Sequence, residues 1–513
     1  MRRLLPSLLL WPIVACSNGS STPADAGPDT GADAGVVGLL LAPGEVAELA
    51  IADGVAGEQL ATPTGNERFA LVVGSTRFDG NKTEVAYSVA TDGAQSAGPS
   101  TVLTGCAISD DKWKNAPLPS ETPPTGTAVM VGATRKLDMS KSVGAETIDL
   151  QAIAVGKTAV VWADVTPAHP ANLDMTFVQQ FLADFDDRIM PRERVTFGIE
   201  SDLDMDGHIG LVFTPLTKQT AVAFFTGCDL QQQLGCPAYN AGEYLYLTPP
   251  ANIDPPYNTP DAIKETLAHE LSHLIHYNRK VLRNAATSWS DSGYMIEGVG
   301  GFGQDVIGYQ AGNLYVAKAG LDGINQFSLA ETLLDRRPYD TKRDGVLRGG
   351  SYWFVRWLYD RGGGDVSQQD GSIKATGGPQ LLRELMDAKP SMAKQIPTSS
   401  GSAIEDVAMD FYTTLVTSNR DSIGGPAPKN PCFAFLPIQM DPLTMRQRGG
   451  NTYSSFHGMA LAGMTLQKTA DGKILPGGAE YVQLDATAGA ATIDLTVTVA
   501  ASALPRVRVA RIR

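Results

Sequence analysis

The segment HELSH (269–273), within the apolar stretch TLAHELSHLIHYN (266–278), most constrains how this chain can fold. The apolar residues around it recur at helical spacing, and Thr259 followed by Pro260 is typical of a helix N-terminus. Burying two histidines and a carboxylate on one helix face is costly unless a metal or polar partners compensate. The segment therefore predicts a buried helix that binds a metal. A core helix whose histidines are satisfied by protein partners is the alternative.

Two of the three histidines in this stretch have the spacing of a shared metal site. His269 and His273 lie one helical turn apart on the same face, so both imidazoles can reach one Zn²⁺ at about 2.0–2.1 Å. Glu270 would project beside the metal, where it can take a proton from bound water. His276 lies seven residues after His269, about 10 Å along the helix axis. It is therefore predicted to be a packed or supporting residue and not a ligand.

The third ligand is expected from another element. Glu297 is the only glutamate between Glu270 and Glu331, and it leaves room for a loop and a returning helix. Two histidines and a glutamate leave the fourth position open to water, which is the catalytic rather than the structural arrangement of zinc. Asp291 and Asp305 are the alternative third ligands.

The N-terminus predicts an exported bacterial lipoprotein. Residues 1–16 have two arginines, a short apolar run and small residues before Cys16, which resembles a lipobox in which Cys16 is lipidated. A plain secretory signal with an incidental cysteine is the alternative. Residues 17–36 are small, polar and acidic and are predicted to be a disordered tether. We therefore expect attachment to the cell envelope, at the outer membrane or cell surface, through this lipid anchor alone, or release outside the cell.

Charge and cysteine content limit the partners and the compartment. The formal net charge of −14 argues against nucleic acid, whose phosphates need a basic surface, so a protein or peptide substrate is the expected partner. In an exported protein, the four cysteines that remain after Cys16 suggest two disulfides. Cys228 and Cys236 are close in sequence and are the favoured pair, and Cys106–Cys432 follows by elimination.

Periodicity divides the chain into three folded regions. Residues 37–150 have short alternating runs and are predicted to form an N-terminal β domain. Residues 151–447 combine strands with a mostly helical second half, and residues 448–513 return to β patterns. The fold class is therefore multidomain α+β. Residues 37–150 could alternatively be a removable pro-segment of a zymogen.

A longer series of segments resembles the gluzincin metallopeptidases, and most closely the hyicolysin-type neutral zinc metallopeptidases. The resemblance covers roughly residues 150–450, and HExxH is its one sharp motif. The matching segments are VVWADV (160–165), FLADFDDRIMP (181–191), TFGIESDLDMDGHIGLVFT (196–214), EYLYL (243–247), the HELSH helix, IEGVGGFGQD (296–305), GGSYWFVRWLYDRGG (349–363) and DFYTTLV (410–416).

This resemblance implies a zincin-like catalytic domain, a small β sheet plus a helical subdomain, flanked by N-terminal and C-terminal β-sandwich-like domains. It also implies that His269, His273 and Glu297 bind one catalytic Zn²⁺ and that Glu270 is catalytic. The expected function is a zinc-dependent endopeptidase that hydrolyses peptide bonds with a metal-activated water. The alternative is a catalytically degenerate surface lipoprotein that binds a polymer or protein partner.

The chain departs from the family pattern after Glu297, where Gly300, Gly301 and Gly303 occur. A glycine inside a helix costs up to about 1 kcal/mol relative to alanine, so these residues predict a weak or irregular helix. The candidates for a transition-state-stabilising or supporting residue are Tyr294, Asp305, Tyr352 and His457.

Two further segments suggest binding. Asp202, Asp204 and Asp206 imitate the start of a calcium loop, but the twelfth position is Phe213, so an irregular Ca²⁺ site or a plain turn is expected instead of an EF-hand. Residues 243–248 read either as an edge strand that aligns peptide substrate or as an ordinary core strand.

Overall fold

The computed structural model describes residues 38–513 except 94–97, 128, 140–145, 233–235, 237, 310–313, 335–341, 451, 454, 457–458, 461–462, 464–465 and 467–470. The predicted signal peptide with Cys16, the predicted tether and His457 lie outside the described residues. Within the described part of the chain, no helix is both long and apolar enough to cross a membrane.

Strands occur at both ends of the chain and helices in its middle. The strands are β1 (Val46–Leu49), β2 (Ile51–Ala52), β3 (Val55–Ala61), β4 (Arg68–Ser75), β5 (Val85–Ala90), β6 (Thr101–Val102), β7 (Thr134–Asp138), β8 (Thr147–Val155), β9 (Ala159–Asp164), β10 (Ile209–Phe213), β11 (Ala223–Phe225), β12 (Tyr244–Leu247), β13 (Asp365–Ser367), β14 (Ile373–Ala375), β15 (Gln439–Met440), β16 (Gln447–Arg448), β17 (Ser455–Phe456), β18 (Met459–Ala460), β19 (Asp471–Ile474), β20 (Ala479–Asp485), β21 (Thr492–Val499) and β22 (Pro505–Arg511). The α-helices are α1 (Met175–Asp184), α2 (Met190–Phe197), α3 (Gly227–Leu230), α4 (Pro260–Tyr277), α5 (Gly293–Ile307), α6 (Leu314–Asp322), α7 (Leu329–Leu334), α8 (Asp344–Gly362), α9 (Gly378–Asp387), α10 (Met392–Ser400) and α11 (Ile404–Thr417).

Strands from the two ends of the chain form one β-sandwich. Its two five-stranded antiparallel sheets have the orders β20-β4-β22-β1-β6 and β19-β5-β21-β3-β2. The C-terminal strand β22 is central in its sheet, where Val507 pairs with Leu49 on one side and Val73 on the other. All three residues belong to the hydrophobic core that the two sheets share.

The second assembly is a six-stranded mixed sheet, in the order β11-β12-β10-β9-β8-β7. Strand β10 is parallel to β9 and β12, whereas β7, β8 and β11 run antiparallel to their neighbours. Both faces of the sheet are covered: Val161 and Leu211 pack into the large helical core, and Trp162 and Val212 into a second, smaller core. Burial on both faces accounts for the uninterrupted apolar runs of the central strands.

The structure corrects the predicted division of the β regions. Residues 46–102 and 471–511 share two sheets, so they form one sandwich and not separate N-terminal and C-terminal domains. The predicted boundary at residue 150 falls inside β8, which pairs with β9 of the six-stranded sheet. The physical reason is hydrogen bonding: without β21 and β22, the central strands of the sandwich would lose their ladder partners. Removing residues 37–150 as a pro-segment would likewise leave both assemblies incomplete.

Two disulfides join the cysteine pairs predicted from the sequence. Cys106 and Cys432 have Cα atoms 5.3 Å apart, and Cys228 and Cys236 have Cα atoms 5.6 Å apart. Cys432 is buried beside α11, next to the helical core. The Cys106–Cys432 disulfide thus joins the loop after β6 to the helical region.

We expect the long-range disulfide to contribute more stability than the short-range one. It closes a loop with a sequence separation of 326, against 8 for Cys228–Cys236, and the loss of loop entropy in the unfolded chain grows with loop length. The double variant Cys106→Ser/Cys432→Ser should lose about 2–4 kcal/mol of unfolding free energy in guanidinium denaturation. The matched control Cys228→Ser/Cys236→Ser should lose less. Equal losses in the two variants would contradict this expectation.

Candidate metal centre

The HELSH segment lies on α4, and its N-terminus is capped as the sequence predicted. The Thr259 hydroxyl accepts a hydrogen bond of 3.2 Å from the backbone N–H of Ala262, and Pro260 is the first helical residue. Apolar side chains such as Leu267 and Leu271 bury one face of the helix in the helical core. This burial fixes which way the histidine face points.

Three predicted ligands converge. His269, His273 and Glu297 each offer a ligand atom, and these atoms all lie within 4.8 Å of one another. Nε2 of His269 is 3.3 Å from Oε2 of Glu297. In a tetrahedral zinc site with bonds of about 2.0–2.1 Å, two ligand atoms are about 3.4 Å apart. The donor set and its spacing therefore fit a tetrahedral divalent cation such as Zn²⁺.

The helix that carries Glu297 is regular, so the expectation of a weak or irregular helix is wrong. Helix α5 has 15 residues, a Ser292 cap whose hydroxyl accepts from the N–H of Met295, and Gly308 in the left-handed conformation after its last turn. Its glycines lie where other helices approach closely, and this close packing compensates for their low helix propensity.

Three glycines of α5 each lie against a neighbouring helix. A Cβ on Gly300 would lie 2.6 Å from Nε2 of His269, and a Cβ on Gly303 would lie 2.0 Å from Oγ of Ser272. A Cβ on Gly298 would lie 2.9 Å from the side chain of Ser351 on α8. The glycines therefore let α5 approach both α4 and α8, and that approach brings Glu297 to the histidines.

A residue that sequence reasoning missed orients His269. The ring nitrogen Nδ1 of His269 is 3.1 Å from Oε1 of Gln304. If Nδ1 donates to this amide oxygen, Nε2 is the nitrogen left to face Glu297, as expected for a metal-binding histidine. Gln304 lies seven residues after Glu297, two turns along the same helix face, and this spacing was the available signal.

The protonation states of His273 and Glu297 suit metal binding. Burial, with a further contribution from His269, lowers the pKa of His273 to about 3 and keeps its ring neutral. Burial opposes ionisation of Glu297, but its hydrogen bond to His269 and nearby positive charges hold the pKa of Glu297 well below its usual range. A neutral imidazole and an ionised carboxylate are the forms that bind metals. For His269, burial lowers the pKa, but its hydrogen bond to Glu297 and the nearby carboxylates raise the pKa overall, which favours the protonated ring.

Glu270 lies beside the triad and contacts the edge of the six-stranded sheet. Its Oε2 accepts a hydrogen bond of 2.9 Å from the backbone N–H of Phe225, the last residue of β11. Burial raises the pKa of Glu270 to about 7, although the charge of His269 acts in the opposite direction. Both His269 and Glu270 are partly exposed, so this side of the site can be reached from solvent.

The edge strand next to the site is β11 and not the strand at 243–248. Strand β12 lies between β10 and β11 and is buried along its length, so it is a core strand. Among the described strands, β11 pairs with β12 alone. It is therefore the edge strand of the six-stranded sheet. The sequence could not distinguish the two because both segments are short and apolar.

A buried glutamate on α2 contacts α4 through Ser272. The Ser272 hydroxyl donates to Oε2 of Glu193 over 3.0 Å, and Glu193 is fully buried on α2. Burial raises the pKa of Glu193 well above its usual range, although the hydrogen bond from Ser272 acts in the opposite direction.

Three other candidates, His276, Asp291 and Asp305, have structural partners outside the triad. Nε2 of His276 is 3.0 Å from Oδ2 of Asp291, and both residues are buried, which confirms the packed role predicted for His276 and removes Asp291 as the alternative ligand. Asp305 accepts from Arg356 over 3.0 Å and from the backbone of Gly449, which removes it as well. Tyr294 and Tyr352 are buried in the helical core.

The predicted calcium loop gathers a different set of carboxylates. Asp202 and Asp204 converge with Glu243 from the start of β12, while Asp206 accepts a hydrogen bond from the backbone of His208. Arg135 lies 2.9 Å from Asp204 and neutralises part of this charge. Glu243 joins the group only through the tertiary fold, and calcium binding here stays a prediction.

No family model and no curated protein matches this chain. Its function therefore has to be argued from the chemistry of the site.

Proposed function

We propose that this protein is an exported zinc-dependent endopeptidase. The observation that carries the proposal is the convergence of His269, His273 and Glu297 within 4.8 Å, with the partly exposed Glu270 beside them. Two histidines and one glutamate are the donors of a catalytic zinc site with an open fourth position. Two disulfides are in keeping with export to an oxidising compartment. The lipid anchor at Cys16 is part of the same proposal.

Glu270, Phe225 and strand β11 would each have a separate role in peptide hydrolysis. Zinc, when bound, polarises the scissile carbonyl and lowers the pKa of water toward about 7. Glu270 accepts the proton of the attacking water and passes it to the leaving amine, and its raised pKa matches a group that both takes and returns a proton near neutral pH. The N–H of Phe225 orients the Glu270 carboxylate. The edge of β11 that no described strand pairs with would align an extended peptide by main-chain hydrogen bonds, through groups other than the Phe225 N–H that Glu270 engages.

Metal analysis together with a digest tests the proposal. Protein purified without chelators should contain one zinc ion per chain and should cleave gelatin and a peptide library. A strong zinc chelator should remove both the metal and the activity, and added Zn²⁺ should restore both. Metal-free protein that cleaves nothing even after zinc is added would favour the alternative, a degenerate surface lipoprotein that binds a polymer or protein partner.

The alternative function, a degenerate surface lipoprotein, has less support than the sequence suggested. Its main support was the glycine-rich stretch after Glu297, and these glycines now have a packing role against α4 and α8. A degenerate site would also have no need to keep three ligands and a neighbouring carboxylate at one point.

A further inference from the structure

One basic side chain bridges Glu297 to another helix. Arg348, on the second turn of α8, donates from Nη1 to Oε2 of Glu297. Its Nε donates to Oδ2 of Asp344 over 2.9 Å, one turn earlier on the same helix. The guanidinium is thus held between two carboxylates, one of which belongs to the ligand triad. Its side chain is 30% exposed, so it lies at the solvent side of the site.

Three of the four positions one turn away from Glu297 on α5 are glycines, and the fourth, three residues before it, is Tyr294. The residues four before, three after and four after Glu297 are Gly293, Gly300 and Gly301. On a helix surface these positions normally supply the side chains that pack against or hydrogen-bond to a residue. The three glycines supply no side chain to Glu297, and Arg348 reaches its carboxylate from α8.

We propose that Arg348 is a positioning residue that holds the Glu297 carboxylate toward His269 and His273 and is itself held by Asp344. This inference rests on the proposed zinc site. A guanidinium suits the role because its planar fork presents separate N–H groups to two carboxylates in fixed geometry. A lysine at this position would keep the charge but could not bridge both partners in the same way.

Two effects of Arg348 oppose each other. A positive charge near a bound dication repels it, whereas a fixed ligand orientation favours binding. The ion pair with Asp344 offsets part of the Arg348 charge, and we expect the effect on orientation to dominate. Loss of a group that orients a metal ligand typically weakens metal affinity by about 10- to 100-fold.

The test compares zinc affinity across matched variants. Competition with a chelating dye should show Arg348→Gln binding zinc about 10- to 100-fold more weakly than wild type, with Arg348→Lys between the two. The electronic spectrum of the cobalt(II)-substituted protein should change in Arg348→Gln and recover partly in Arg348→Lys. The control Arg77→Gln removes an ion pair of Arg77 with Asp79 in the sandwich and should leave affinity and spectrum unchanged.

The outcomes separate this inference from the function on which it rests. Wild-type protein that binds no zinc would overturn both. Wild type that binds zinc and cleaves peptides, beside an Arg348→Gln variant with equal or tighter affinity and an unchanged cobalt spectrum, would overturn the positioning role alone. If Arg348→Gln does not fold, Arg348→Lys and Asp344→Asn carry the test, and wild-type affinity and spectrum in both would overturn the inference.

Discussion

Replacing Glu270 with glutamine is expected to abolish peptide hydrolysis while leaving zinc bound. Glutamine has nearly the same shape, and its amide oxygen can still accept the hydrogen bond from Phe225. It cannot take a proton from water, and loss of a general base costs about 10²–10⁴ in rate. Glu270 is not one of the three convergent ligand residues, so zinc affinity should stay close to that of wild type.

Kinetics on a fluorogenic peptide and zinc content of the same preparations would check this expectation. Glu193→Gln is the matched control, because Glu193 also contacts α4, through Ser272, and glutamine has nearly the same shape and can still accept that hydrogen bond. The control should bind zinc and cleave peptide at a rate near that of wild type. A Glu270→Gln variant that cleaves like wild type would show that another group is the base. A variant that loses zinc would place Glu270 among the ligands.

Substituting Gly300 with alanine should disrupt the metal centre although alanine is the better helix former. The new methyl group would lie 2.6–2.8 Å from ring atoms of His269, closer than carbon atoms can approach. Either His269 turns away from Glu297 or α5 moves away from α4. Overpacking of this kind costs about 1–3 kcal/mol, and a displaced ligand should weaken zinc affinity by at least about tenfold.

Gly293→Ala is the control on the same helix. The methyl group at position 293 meets no atom within 4 Å, so this variant should keep zinc affinity and be neutral or slightly more stable, by no more than about 1 kcal/mol. Zinc titration and thermal unfolding of both variants would separate packing from helix propensity. Equal zinc affinity in Gly300→Ala and wild type would contradict the close approach of α5 to His269.

Much of the local structure around the site follows from nearby residues in the sequence. The Thr259 cap, the Pro260 start and the four-residue spacing of His269 and His273 were predictable because they depend on one helical segment. The observed disulfide pairing is one of three that four cysteines allow, and the closeness of Cys228 and Cys236 in sequence favoured it. The convergence of Glu297 with the histidines was predicted because it is the only glutamate in its interval. Its role as a zinc ligand stays a prediction.

The interpretation of the glycines failed for an identifiable reason. Helix propensity describes an isolated helix, where Gly300 and Gly303 only cost free energy. In the fold, the missing side chains make room for His269 and Ser272 of α4. The distance between two helices cannot be read from one sequence. The free-energy cost of each glycine in a helix was therefore predictable, and the close helix contact that it permits was not.

The sequence alone predicted the HELSH helix and the placement of its two histidines on one face, and it favoured the cysteine pairs without fixing them. These properties depend on helical periodicity and on a small number of residues of one type. Only the tertiary structure decided that β22 completes a sheet begun by β1 and β4, that β11 is the edge beside Glu270, and that Gln304 contacts His269 and Arg348 contacts Glu297. These features depend on contacts between residues far apart in the chain, and such contacts are set by which surfaces can be buried together.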